Sequence, residues 1–251
     1  YLDADNIDIP DFALSQAARD EAIAGGAVPA DFANGTLPNS AVRNTSLSGG
    51  LSWVGDGAFL GAAVRRAENR YGIVAEEEAF IDMEQTRYDL RGGLDFDGGF
   101  LKSLRASGSK VDYEHTEFEG PGEPGTRFTN DGWEARMEAG HPKLGDLEGS
   151  IGVQASDRDF TAIGDEALIG PTSTKQTGLF VFETFDKGEW GLEGGLRYDD
   201  VQLDNIDFGG RGFDAWNASF GAHVHLGDHV FLGASIARTE RAPTDLELFA
   251  D

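Results

Sequence analysis

From Ser46 onward, apolar and polar positions alternate with a period of two, which places them on opposite faces of an extended chain. Leu47, Gly49, Leu51 and Trp53 fall on one face, and Ser46, Ser48, Gly50 and Ser52 on the other. Tyr88, Leu90, Gly92, Leu94 and Phe96 oppose Arg87, Asp89, Arg91, Gly93 and Asp95 in the same way. Trp133, Ala135, Met137 and Ala139 oppose Glu134, Arg136 and Glu138; Leu147 to Ala155 alternates with Glu148 to Gln154. Trp190, Leu192, Gly194, Leu196 and Tyr198 oppose Gly191, Glu193, Gly195 and Arg197, and Trp216 to Leu226 alternates with Asn217 to His225. Several runs reach about ten residues, the length a tilted membrane strand needs and more than the usual five or six. The stretches near 100–113 and 177–185 alternate poorly, which predicts bulges or a mixed environment there.

Five short turns punctuate these runs, centred on Asp56, Asp97, Asp146, Lys187 and Asp228, at intervals of 41, 49, 41 and 41 residues. Between them lie long acid-rich stretches, Glu68–Glu84, Asp112–Asp131, Asp157–Gln176 and Asp199–Asp214. Short turn, long loop, short turn, long loop is the plan of an all-β, antiparallel up-and-down transmembrane β-barrel with short periplasmic turns and long extracellular loops. Aromatic residues gather toward strand ends. Trp53, Phe59, Phe96, Phe100, Phe185, Trp190 and Phe231 lie beside the short turns, and Tyr88, Trp133, Tyr198 and Trp216 toward the loops. Two aromatic girdles are expected of such a barrel. Residues 1–46 read differently, as an extracellular loop segment with a short helix over Phe12–Ile23, ahead of the barrel segment at 47–251. A propeller shares the repeat length but needs four short strands per unit, and each unit here offers two long ones.

Composition narrows the function classes. The 251 residues include 35 Gly and no Cys, so disulfides, thiolate metal sites and Cys nucleophiles are excluded. No apolar run approaches the roughly 18 residues of a membrane helix, whereas strands apolar at every second position can still cross, so a mean hydropathy of −0.35 fits water or an outer membrane. A net charge of −25 argues against nucleic acid as a partner and favours a cationic one, or simply a soluble surface. The chain begins at Tyr1 without Met or a signal peptide, so processing or a longer parent protein is expected.

Motifs for catalysis are lacking, with no nucleophile elbow and no zincin signature, and no cofactor motif is present. Asp199-Asp200 and Glu76-Glu77-Glu78 read as solvated charge runs rather than catalytic pairs. Asp3-Ala-Asp5-Asn6 opens like a calcium loop but lacks the central Gly and terminal Glu. The candidate metal ligands are imidazoles: His223 and His225 share the polar face of one strand, and His115 lies among Glu114, Glu117, Glu119 and Glu123.

The run Ser235-Ile-Ala-Arg-Thr-Glu-Arg-Ala-Pro-Thr-Asp-Leu-Glu-Leu-Phe249 resembles the Arg-Ala-Pro…Glu-Leu-Phe signature of TonB-dependent outer-membrane receptors. Tyr71-Gly-Ile73, Gln85-Thr-Arg-Tyr-Asp-Leu90, Asp112 to Gly120 and Gly178-Leu-Phe-Val-Phe182 are similar to a subgroup that includes zinc-uptake receptors. Those receptors tend to carry His-rich loops, where this chain has Glu76-Glu77-Glu78 and one loop histidine, His115. The resemblance spans roughly 37–251 and implies a transporter, not an enzyme, in the outer membrane of a Gram-negative bacterium. It would import a scarce nutrient (a metal ion, a metal chelate or siderophore, or similar) with energy from the TonB protein acting on a plug domain inside the barrel. Family barrels have roughly 22 strands, and an open sheet of about ten would expose unpaired edges to lipid, so a partial barrel from a larger receptor is expected. The implied partners are the rest of that barrel, its plug, TonB through the plug, outer-membrane lipid and the nutrient. Arg87, Asp89, Arg91, Glu134, Arg136, Glu138, Glu193 and Arg197 would face the lumen and pair with one another or with the plug. A passive porin-like small barrel, a soluble β-rich binding module and a hydrolase on a membrane barrel are the alternatives.

Overall fold

The computed structural model describes residues 1–29, 32–76, 78–227 and 229–250. Glu77 of the acidic run, Asp228 at the fifth turn and Asp251 lie outside the described residues. Strands β1 (Leu2–Ala4) and β2 (Asp8–Phe12), helix α1 (Gln16–Ala24) and strand β3 (Asn34–Thr36) come first. Ten longer strands follow: β4 (Val42–Gly55), β5 (Ala58–Gly72), β6 (Phe80–Asp95), β7 (Ser103–Gly120), β8 (Glu123–Gly140), β9 (Leu147–Ile163), β10 (Thr172–Asp186), β11 (Trp190–Asn205), β12 (Gly209–Leu226) and β13 (Val230–Arg238). A short helix, α2 (Asp245–Phe249), ends the chain.

One antiparallel sheet of 11 strands runs β1-β4-β5-β6-β7-β8-β9-β10-β11-β12-β13, and β2-β3 form a separate ribbon. From β4 on, every strand pairs with its neighbours in sequence, the up-and-down plan of a barrel wall. Helix α1 starts at Gln16 rather than Phe12 because the Ser15 hydroxyl accepts the Ala18 N–H and sets the N-terminus there, while Phe12 belongs to β2. The first 46 residues also contribute to the sheet: β1 pairs with the edge of β4, which itself begins at Val42.

The stretches read as long loops are largely paired strand. β7 and β8 each run 18 residues, and only residues 121–122 separate them; β11 and β12 are joined by residues 206–208. Beyond the apolar band the outward face turns polar and the charged face mixes polar groups with Tyr113, Phe128, Val201 and Leu203, so the one-sided hydrophobic alternation is lost while backbone pairing continues. The expected bulges are absent where they were predicted. β10 pairs without a shift to β9 and β11, and β7 to β6; the register shifts instead between β7 and β8 from Thr116 to Gly120. Alternation in 177–185 is blurred because Phe180 and Phe182 share the charged face with Arg197 and Gly195, their cross-strand partners.

Residues directly opposite in an antiparallel pair share a face, so the register assigns both faces of the whole sheet. One row reads Leu94, Leu104, Ala139, Ile151, Val181 and Leu196. The row above holds Met137, Val153, Leu179, Tyr198 and Trp216, and two rows higher Tyr88 and Trp133 stand beside Lys110, Asp157 and Lys175, where the apolar band ends. Most of the large side chains of these rows are exposed, Ile151 at 63% and Leu179 at 55%, and Leu51 on the same face reaches 83%, a contiguous exposed apolar face of the kind that marks contact with lipid or a partner. Near the short turns Trp53, Phe185 and Trp190 lie on this face. Phe59 and Phe231 do not: register places them opposite Gly93 and His225 on the charged face, which corrects their assignment to a girdle.

Glycine serves the charged face. Phe180 lies across Gly152, Phe59 across Gly93 and Glu193 across Gly221, where an added Cβ would come within 2.1, 2.4 and 2.6 Å of those side chains. Each large inward group is cradled by a neighbouring strand with no side chain of its own.

Candidate functional site

On the charged face the register sorts charge into layers. One row holds Arg65, Arg87, Arg158 and Arg211; the next toward the short turns holds Asp89 and Glu134; the next Arg91, Arg136 and Asp199; the fourth Arg105, Glu138 and Arg197. Residues two apart on one strand stand on adjacent rows of one face, so acid and base at that spacing can meet. They do so in Arg87–Asp89 at 2.8 Å, Arg136–Glu138 at 2.8 Å and Arg197–Asp199 at 2.6 Å. Arg136 also sits 4.0 Å above the Phe180 ring. The internal pairing read from the sequence therefore holds for Arg87, Asp89, Arg136, Glu138 and Arg197, the last with Asp199 rather than a residue of the predicted set.

The three candidate imidazoles occupy two separate places. His223 and His225 lie on the charged face at the short-turn end, their rings 5.7 Å apart and each against Phe231. His115 lies at the hairpin end of β7, stacked 4.5 Å from Phe128 with Tyr113 edge-on at 5.6 Å. Its Nε2 is 3.8 Å from a Glu117 oxygen, its Nδ1 is buried without a hydrogen-bond partner, and burial pushes its pKa down. Among the described residues no three His, Cys, Asp or Glu side chains converge in a metal-holding arrangement.

Around Glu117, separate connections meet. Glu166, between β9 and β10, is fixed by its N–H donating to the buried Thr126 hydroxyl at 2.9 Å. Asn39, at φ +54°, donates its amide to the Ile73 and Glu76 carbonyls and holds the β5–β6 connection in place. Burial, then the hydrogen bond that the protonated Glu117 carboxyl donates to Glu166, and the charges of Glu166 and Glu76, push the Glu117 carboxyl up to about 7. Glu166 falls in the acid-rich stretch Asp157–Gln176, and nothing local in the sequence ties it to Glu117.

A second feature at this end also escapes sequence reasoning. After β13 the chain folds back across the charged face as a strap, residues 239–250. Thr244 and Glu247 form a capping box, and Arg241 donates twice to Glu247 at 2.6 and 2.7 Å. Asp245, 6% exposed, pairs with Arg158 of β9. Phe249, 4% exposed, stacks on Phe208 at 5.8 Å and joins Ile169, Val201 and Leu203 in a buried apolar cluster. The Ser/Thr-x-x-Glu spacing of the cap is legible in the sequence; its docking partner, 87 residues earlier, is not.

Known proteins share this architecture. The FrpB iron transporter from Neisseria meningitidis, in an apoprotein form, aligns with a TM-score of 0.74 at 15% identity, over 96% of this chain and 40% of its own. The copper transporter OprC aligns at 0.72 and 15% identity, over 84% and 38%, and the siderophore receptor PirA from Pseudomonas aeruginosa at 0.62 and 21%, over 82% and 35%. The chain thus spans about two-fifths of the length of these structures, and at such identities they establish the fold alone. A family model described as TonB dependent receptor-like, beta-barrel matches residues 26–251, and the chain belongs to that family.

Proposed function

We propose that this chain is part of the barrel wall of an outer-membrane receptor of a Gram-negative bacterium that takes up a scarce nutrient, a metal ion, metal chelate or similar compound. The energy comes from TonB through a plug domain seated against the charged face. The observation that carries this reading is the two-faced wall: an exposed apolar band edged by Trp and Tyr on one side, and layered, internally paired charge on the other. The apolar band faces lipid and the charged face lines the lumen. The hairpin end, with residues 1–46, faces outside. There His115 and Glu117 are placed to meet an incoming ligand, whereas His223 and His225 face the plug.

The experiment is uptake by cells producing the full receptor, with isotopically labelled iron, zinc or copper, free and chelated, before and after collapse of the proton-motive force. Accumulation of at least one form that stops on collapse is expected. Accumulation unaffected by collapse refutes energised import and favours a passive porin-like barrel.

A further inference from the structure

Of the four charged layers, the one nearest the hairpin end is made of guanidinium groups, Arg65, Arg87, Arg158 and Arg211, in one register row. Their counter-charges differ in origin. Arg87 takes Asp89 from its own strand, while Arg65 donates to the Ser46 hydroxyl and Arg211 to backbone carbonyls. Arg158 alone in this row is matched by a carboxylate the wall does not carry, Asp245 of the strap. That match uses one terminal nitrogen. The Arg158 Nε is buried and has no hydrogen-bond partner. A guanidinium offers its Nε and one terminal nitrogen as a fork that fits both oxygens of a carboxylate, so the present pairing leaves half the fork empty.

Between the strap and the wall is a cavity of about 240 Å³ bordered by Arg158, Thr174, Gln176, Asp199, Pro243 and Thr244. Its other acids are engaged: Asp199 accepts from Arg197 and Gln176, and Glu240 from Arg238 and the Trp216 N–H. The guanidinium of Arg158 is thus the cavity's incompletely used charge, and the segment covering it follows directly on β13 and holds its own shape through Arg241–Glu247 and the Thr244 cap.

We propose that Arg158 is an anion seat, that Asp245 occupies it as a tethered stand-in for a ligand carboxylate, and that a carboxylate-bearing ligand displaces Asp245 and releases the strap. This deepens the import reading and rests on it for the ligand's direction of arrival. An incoming carboxylate gains by taking both Nε and the terminal nitrogen where Asp245 takes one. Because Asp245 already occupies the terminal nitrogen that the fork requires, a ligand carboxylate can seat on it only as Asp245 leaves, so seating the ligand and freeing the strap are one event.

The test uses the full receptor in detergent, with citrate, free and as its iron(III) complex, as probe and hexaamminecobalt(III) as cationic control. By calorimetry, Asp245→Asn removes the competing charge and should tighten citrate binding by roughly tenfold, the scale of one charge-assisted hydrogen bond; Arg158→Gln should weaken it at least as much. A spin label at Leu246→Cys, a half-exposed strap position in a chain without other cysteines, reads the native pair directly. Citrate should mobilise that label, the cobalt complex should not, and with Arg158→Gln the label should be mobile beforehand and insensitive to citrate. No citrate binding to the native receptor or to Asp245→Asn, unchanged or weaker binding on Asp245→Asn, or a label that stays immobile at saturating citrate each overturns the proposal. Binding and label mobility need no energised membrane. A receptor that passes these tests and imports nothing keeps the anion seat and loses the import reading; one that imports but fails them does the reverse.

Discussion

Placing a charge at Ile151 tests which face of the wall meets lipid. On β9 the apolar stretch begins at Leu147, and its face turns polar at Asp157. Ten residues at about 3.3 Å each, tilted about 40°, rise roughly 25 Å, the height of an outer-membrane apolar band. Ile151 stands four residues up, roughly 10 Å, and so within about 3 Å of the midplane on the same arithmetic. Arg at that depth on a lipid face costs about 2–4 kcal/mol. Ser156, five residues along, lies on the charged face between Glu134 and Gln176, where a guanidinium gains an acidic neighbour. Ile151→Arg should therefore lower the unfolding free energy of the full receptor in phospholipid vesicles, followed by urea titration, by about 2–4 kcal/mol, and Ser156→Arg by less than about 1. Equal costs, or a larger cost at Ser156, would refute the assignment of faces.

Three further outcomes are expected. Gly152→Ala puts a Cβ 2.1 Å from the Phe180 ring and 2.7 Å from the Met137 carbonyl oxygen, with Arg136 above the ring, so about 1–3 kcal/mol should be lost in the same titration; Phe180→Leu in the same chain should recover most of it. Phe249→Ala removes the buried end of the strap, and cleavage at Arg241 by trypsin should accelerate by roughly a hundredfold to a few thousandfold, from a loss of about 3–5 kcal/mol of docking. The hydrogen bond from Arg241, then that from the Thr244 N–H, pull the Glu247 carboxyl down from 4.5 to about 2. A depressed carboxyl stabilises fully above its unfolded value and loses that contribution as pH falls through the folded one. Hydrogen-exchange protection across 241–248, taken relative to the intrinsic rate at each pH, should therefore fall between about pH 4.5 and 2, and Glu247→Gln should abolish that pH step.

The wall was legible because its signal is geometric. Period two along Leu147–Ala155 follows from the backbone of a strand with one apolar and one polar environment, and it persists whatever residues fill each face. The hairpin extensions were not legible for the same reason. At Glu114-His115-Thr116-Glu117 both faces are polar, and the environments no longer differ. Arg158 was lost with them, read as loop although it continues the parity of Ser156 and Gln154. Phe231 failed in another way: Val230-Phe231-Leu232 is apolar throughout, so parity cannot be read, and only pairing with His225 places the ring inward. The imidazoles at 223 and 225 were placed on the correct face by parity alone. What surrounds Glu117 depends on residues 39, 76, 126 and 166 arriving from other elements, and the docking of Asp245 on Arg158 is longer in range still.

The origin of each counter-charge separates the fixed part of the wall from the part that can move. Arg87 and Arg197 find their carboxylates two residues along the same strand, so those acids cannot leave while the sheet stands. Their pairing neutralises the wall locally and gives a passing ligand no free charge to hold. Asp245 is different. It reaches Arg158 only while the strap is docked, and docking depends on Phe249, the ion pair and the short helix that presents the carboxylate. The two terms are therefore linked: weakening the apolar contact frees the guanidinium, and filling the guanidinium weakens the strap. Linkage of this kind is reciprocal, so Phe249→Ala should tighten citrate binding by the factor by which citrate loosens the strap. With Arg87 and Arg197 matched within their own strands and Arg158 matched from the strap, ligand-dependent change at Arg158 is confined to the hairpin end and leaves those strand pairs unaltered.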